Sequence, residues 1–183
     1  YATSYIPSAG SQTTRNQELC YDATPVINSE EGVLYAEISA LANSVPLQRL
    51  SLSDGTTSNR IYIQNSATTN QIFVSLVSEG VSSVDFNITS YDTTQFNKIA
   101  VKYKGNDSAL WINGIEVATD TSAVMPIGLS ELSYDDGNGG LARFGNTKGL
   151  KVYPKALSDV ELETLTSWSS FREMAEAQSY IVE

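Results

Sequence analysis

The chain has no histidine, one cysteine and little charge for its 183 residues. Each shortage closes off some chemistry. Without His there is no imidazole general base, no Ser-His or Cys-His nucleophile pair and no imidazole metal ligand. A single Cys allows no intrachain disulfide and no Cys-rich zinc site. Lys and Arg number 11 against 21 Asp and Glu, a formal net charge of −10. That balance argues against nucleic acid as a partner, because affinity for a phosphate backbone comes mostly from basic side chains. No run approaches the roughly 20 apolar residues of a membrane-spanning helix, so no membrane insertion is expected.

In place of charge the sequence carries Ser, Thr, Asn and Gly, with 10 Tyr. Short uncharged polar side chains favour turns and strand surfaces, and Tyr and Thr fit a half-buried sheet face. The composition points to an all-β domain with long polar loops, and its polar surface suits an extracellular or virion setting. Residues 1–15 are Ser/Thr-rich and broken by Pro7 and Gly10. Residues 1–32 therefore read as an extended N-terminal arm packing on the sandwich. The start at Tyr1, in place of Met, is what a processed product or a piece of a longer protein would show. From Val33 the pattern alternates, with Leu34, Ala36, Ile38 and Ala40 on the expected core face.

Further strands are expected over 47–52, 60–64, 71–77, 81–88, 96–104, 108–112, 115–118, 127–134 and 143–153, the last broken near 146–148. Asp54-Gly55, Glu79-Gly80 and Gly105-Asn106 mark turns between them, and Asn113-Gly114 is the strongest hairpin signal. Helix is expected only near the end. Ser158 and Glu161 form an S-x-x-E capping box, with Leu157 and Leu162 in the positions of a hydrophobic staple. A second helical stretch covers about 170–178, and 180–182 reads as a final edge strand. The organisation is an arm over 1–32, a β-sandwich over 33–157 and a helical segment and tail over 158–183.

Three segments resemble one family. Phe96-Asn97-Lys98-Ile99-Ala100-Val101-Lys102-Tyr103 resembles the W-h-x-I-A-V-x-Y strand of laminin-G-like, concanavalin A-like domains. Ala109-Leu110-Trp111-Ile112-Asn113-Gly114 resembles the x-L-Y-V-N-G hairpin that follows it. Gly149-Leu150-Lys151-Val152-Tyr153, with Ala156-Leu157-Ser158 and Glu161-Leu162, resembles the family's closing segment. They stand in family order within about 33–165. Ser4-Tyr5-Ile6-Pro7, with Gly10-Ser11 and Thr14-Arg15, resembles an S-Y-I-P-T-x-G-S-x-x-T-R stretch of such domains in bacteriophage tail and fibre proteins. The resemblance implies an antiparallel two-sheet jelly-roll sandwich that binds a surface polysaccharide or other glycan. It implies a receptor-binding or adhesive part of a phage or phage-like surface protein. The alternative is a structural capsid-decoration or fibre-tip domain that binds protein, as a homo-oligomer such as a trimer.

The same architecture also hosts glycosidases, which need two carboxylates on one sheet face, about 5–5.5 Å apart for retention. The nearest match, Asp159-x-Glu161-x-Glu163, falls on the expected helix, where residues two apart diverge. The related Q-I-H lyase site needs the missing His. A non-catalytic module is therefore expected. Among binding residues, Trp111 should lie opposite the core face of its strand, where it either stacks on a sugar or packs under a neighbouring element. Tyr62 and Tyr134 are further platforms, and Arg60, Asn59 and Asn138 supply hydrogen bonds. The loop with Asp135, Asp136 and Asn138 offers oxygen ligands for Ca²⁺, the ion that the resemblance brings to mind, against the alternative of an acidic turn without one. Trp168 and Phe171 are expected to pack the helices on the sandwich.

Overall fold

Alternating apolar side chains give each strand one face to bury, and ten such strands pair into two antiparallel sheets. The computed structural model describes residues 25–178. Within them lie β1 (Glu31–Ala40), β2 (Gln48–Ser53), β3 (Arg60–Asn65), β4 (Ile72–Ser78), β5 (Val81–Ile88), β6 (Asn97–Lys104), β7 (Ser108–Ile112), β8 (Ile115–Asp120), β9 (Glu131–Ser133) and β10 (Gly145–Tyr153). Two short helices follow, α1 (Asp159–Thr166) and α2 (Phe171–Ala177). Sheet A runs β10-β1-β6-β7-β8 and sheet B runs β5-β4-β3-β2-β9. This is the jelly-roll sandwich expected from the sequence, with two C-terminal helices. Cys20, the 1–15 segment and the 180–182 strand lie outside the described residues.

Between the sheets, Leu34, Ala36 and Ile38 of β1 meet Leu50 and Leu52 of β2, Ile61 and Ile63 of β3, and Ile99, Val101 and Tyr103 of β6. Asn113 and Gly114 both have positive φ, 52° and 86°, as the β7–β8 hairpin turn requires. Two expectations need adjusting. The strand over 127–134 shrinks to β9, because Pro126 and Gly128 interrupt it and the Ile127 N–H turns aside to Asn59 Oδ1 at 3.3 Å. The break near 146–148 is a β-bulge. Glu37 pairs with Gly149 and Ile38 with Thr147, which leaves Lys148 as the extra residue.

β1 is buried on both faces, which alternation alone did not foresee. Val33 and Tyr35 join Ala100, Ala109, Trp111 and Leu162 in a second apolar cluster on the outer side of sheet A. The cover is α1. Its capping box forms as expected, since Glu161 Oε2 accepts the Ser158 N–H at 2.8 Å and the Ser158 hydroxyl at 2.7 Å. Those hydrogen bonds hold the Glu161 carboxyl below its usual range. Lysines on the outward side of β6 anchor the helices. Lys102 Nζ lies 2.7 Å from Asp107 and 3.1 Å from Asp159 at the start of α1, and Lys98 Nζ lies 2.9 Å from Glu173 in α2.

Gly32 opens β1 at a close approach. A Cβ there would meet the Tyr103 hydroxyl and would sit 2.6 Å from the Tyr153 carbonyl oxygen. Gly32→Ala should therefore lower the melting temperature, at a cost of about 1–3 kcal/mol for forced overpacking. A thermal melt matching that of the parent protein would show that β1 shifts freely there.

Candidate functional site

Because α1 contacts β6, β7 and β8, the outer side of sheet A is covered over those strands, and attention falls on the outer face of sheet B. With Leu50, Leu52, Ile61 and Ile63 turned inward, period two sends Arg49, Ser51, Arg60, Tyr62 and Gln64 outward. Register aligns Asp85, Ser75, Tyr62, Ser51 and Ser133 as one row across the five strands. Ser75 and Ser51 are small and buried, so the larger side chains on neighbouring rows stand above them.

The Tyr62 ring is the centre of a cationic group. The Arg49 guanidinium carbon lies 4.1 Å from its centroid and that of Arg60 lies 4.9 Å away. Phe73 adds a tilted ring contact at 6.1 Å. Arg49 Nε donates to Gln64 Oε1 at 2.8 Å, and Arg60 Nη1 donates to the Asp136 carbonyl oxygen at 2.6 Å. Neither guanidinium forms an ion pair among the described residues, and Arg60 Nε is buried with no hydrogen-bond partner. In a chain of net charge −10, two adjacent arginines outside any ion pair keep donors for an anion, although the Asp136 charge also acts on Arg60. Burial lowers the Arg60 pKa, and the Arg49 charge beside it adds to the effect.

The loop after β9 forms the rim. The Ser51 hydroxyl donates to the Asp135 carbonyl oxygen at 2.9 Å and the Arg49 N–H to the Leu141 carbonyl at 2.9 Å, which lays the loop along β2. Asp135 Oδ1 accepts the Ser133 hydroxyl at 2.8 Å and the Gly137 N–H at 2.7 Å. Asp136 Oδ1 accepts the Gly140 N–H at 2.9 Å and the Asn138 N–H at 3.3 Å. Both carboxylates are thus turned onto donors of their own loop, and Asp135 is buried. No group of three or more His, Cys, Asp or Glu side chains gathers to hold a metal among the described residues.

The residues expected from the sequence divide accordingly. Tyr62 and Arg60 come together. Tyr62 is only 7% exposed, however, so it seats the guanidiniums instead of offering an open ring to a sugar. Tyr134 and Asn138 are exposed on the rim loop. Asn59 is spent on turns, with its amide on Asp54 Oδ2 at 3.0 Å and its oxygen accepting from Glu79 N at 3.1 Å. Trp111 does lie opposite its strand's core face, but it is packed under α1 at 7% exposure, so the packing alternative is the one observed. The sequence reading missed Arg49, Gln64 and Phe73. Alternation in β2 turns Arg49 outward, but only the β2–β3 register brings it beside Gln64.

No family model matches the chain, and no curated protein matches it. Solved structures do. The CBM40 of Ruminococcus gnavus IT-sialidase bound to α2,3-sialyllactose aligns with a TM-score of 0.62 and 18% identity, over 76% of this chain and 84% of that one. Leech intramolecular trans-sialidase complexed with 2,7-anhydro-Neu5Ac gives 0.59 and 18%, over 79% of this chain and 24% of that one. A K499G mutant of NanB sialidase from Streptococcus pneumoniae gives 0.59 and 20%, over 75% and 24%. At these identities the likeness is one of fold, the two-sheet jelly-roll sandwich.

Proposed function

We propose that the protein is a non-catalytic carbohydrate-binding module that takes an acidic glycan on the outer face of sheet B. The carrying observation is the pair of guanidiniums, Arg49 and Arg60, seated side by side on Tyr62 with no ion pair to either among the described residues. A sugar carboxylate matches that fork in charge and geometry. The fold is shared with a CBM40 bound to α2,3-sialyllactose, which supports a sialylated ligand. Of the three carboxylates considered for hydrolysis, Asp159 pairs with Lys102 and Glu161 caps α1, which leaves Glu163 without a second carboxylate to work with. Calorimetric titration with 3′-sialyllactose, 6′-sialyllactose and lactose tests the reading. Saturable binding of the sialylated sugars, weakened by salt and absent for lactose, is the expected result; equal binding of all three would overturn it.

The resemblance of the 4–15 segment to phage tail and fibre domains extends the reading to an attachment role at a virion or extracellular surface. The sialidase likenesses carry the glycan part alone. Calcium belongs to the reading as a conditional stabiliser of the Asp135–Asp136 loop. A native-state ligand raises the melting temperature. A rise at millimolar Ca²⁺ that EDTA reverses, and that Asp135→Ala abolishes, is the outcome that keeps the ion. An unchanged melt removes it.

A further inference from the structure

Trp168 occupies the connector between α1 and α2, half-buried, yet it belongs to neither apolar cluster. Its neighbour is a cation: Lys98 Nζ lies 4.5 Å from the ring centroid. Lys98 is held in place by Glu173 at 2.9 Å and the Ser167 carbonyl oxygen at 3.0 Å. The ring faces an open groove of about 630 Å³, bounded also by Glu163, Thr164 and Ser169. That volume lies within the roughly 300–1,000 Å³ range of small-ligand sites.

We propose that this groove is a second carbohydrate subsite, for a neutral pyranose stacked on Trp168 with its hydroxyls on the Glu163 carboxylate. Three features carry the assignment. A large aromatic left outside both cores offers apolar area at little entropic cost. Glu163 makes no ion pair and no side-chain hydrogen bond among the described residues, so its two oxygens are available to vicinal hydroxyls. The wall carries two carboxylates against one ammonium, the reverse of the balance at Arg49 and Arg60, and so disfavours a carboxylated sugar. Hydrogen bonds from Ser169 and Lys98 hold the Glu173 pKa down to about 2, so the carboxylate that anchors Lys98 stays ionised over the neutral range. The two sites sit on opposite sheets, which separates their ligands.

Calorimetric titration of the full chain with cellohexaose, maltohexaose, xylohexaose and triacetylchitotriose tests the proposal. At least one probe should show saturable binding. Trp168→Ala should weaken it by about tenfold, and Trp168→Phe, which keeps a ring, by less. Glu163→Gln, on an exposed position, should weaken it while leaving the melting curve unchanged. Arg60→Ala should leave it as in the parent. Silence with all four sugars overturns the proposal, as does parent-like affinity in folded Trp168→Ala. Loss of sialyllactose binding in the parent protein would count against the Arg49–Arg60 reading alone.

Discussion

Arg60→Ala should weaken 3′-sialyllactose binding by at least about tenfold in calorimetric titration. The size follows from the chemistry. A hydrogen bond to a charged group is worth about 1.5–3 kcal/mol, and every 1.4 kcal/mol is about tenfold in Kd. Arg60 Nη1 is already given to the Asp136 carbonyl, so its remaining N–H groups are those a carboxylate would take. Arg49→Ala should cost a similar amount, and both changes together should bring binding close to that of lactose. Arg60→Lys separates charge from geometry. If the fork matters, the lysine restores only part of the affinity. Parent-like affinity in both alanine variants would remove the arginines from the site.

Leu162→Ala should destabilise the protein by about 2–5 kcal/mol, as expected when a large side chain is cut from a closed apolar site. Leu162 is fully buried and is the α1 residue that closes the second cluster over Val33, Tyr35, Ala100, Ala109 and Trp111. The spectroscopic partner of the effect is Trp111, whose emission should shift red once its cover loosens. Val160→Ala provides the comparison on the same helix. Val160 is 72% exposed, and its loss should stay within about 0.5 kcal/mol. Equal melting temperatures for the two variants would show that α1 does not hold the outer face of sheet A.

The strands were readable because alternation and turn residues agree: the Asn113-Gly114 turn and the core face of β1 emerge where those signals put them. The cap of α1 was readable for the same reason, being local. The site was readable only in part. Arg60 and Tyr62 lie two apart on one strand, so a single-strand reading can find them together. Arg49 joins them only through pairing with another strand, and periodicity carries no register between strands. Trp111 illustrates a second limit. Its side of the sheet was fixed by alternation, but its cover is a helix some fifty residues later in the chain, and no local pattern encodes that contact. The acidic loop shows a third limit, because composition counts carboxylates without saying which N–H groups they accept.

The pairing of β1 has a consequence for how the chain is completed. β1 sits between β6 and β10, and Val33 faces Tyr153, so the earliest described strand finds one of its two partners in the last. Contacts so distant along the chain form slowly, because loop closure must be paid before they return anything. Until β10 arrives, β1 presents an unpaired apolar edge, the kind of template on which chains associate with one another. A version ending before Gly145 would keep every residue of the cationic group on sheet B and still be prone to aggregate.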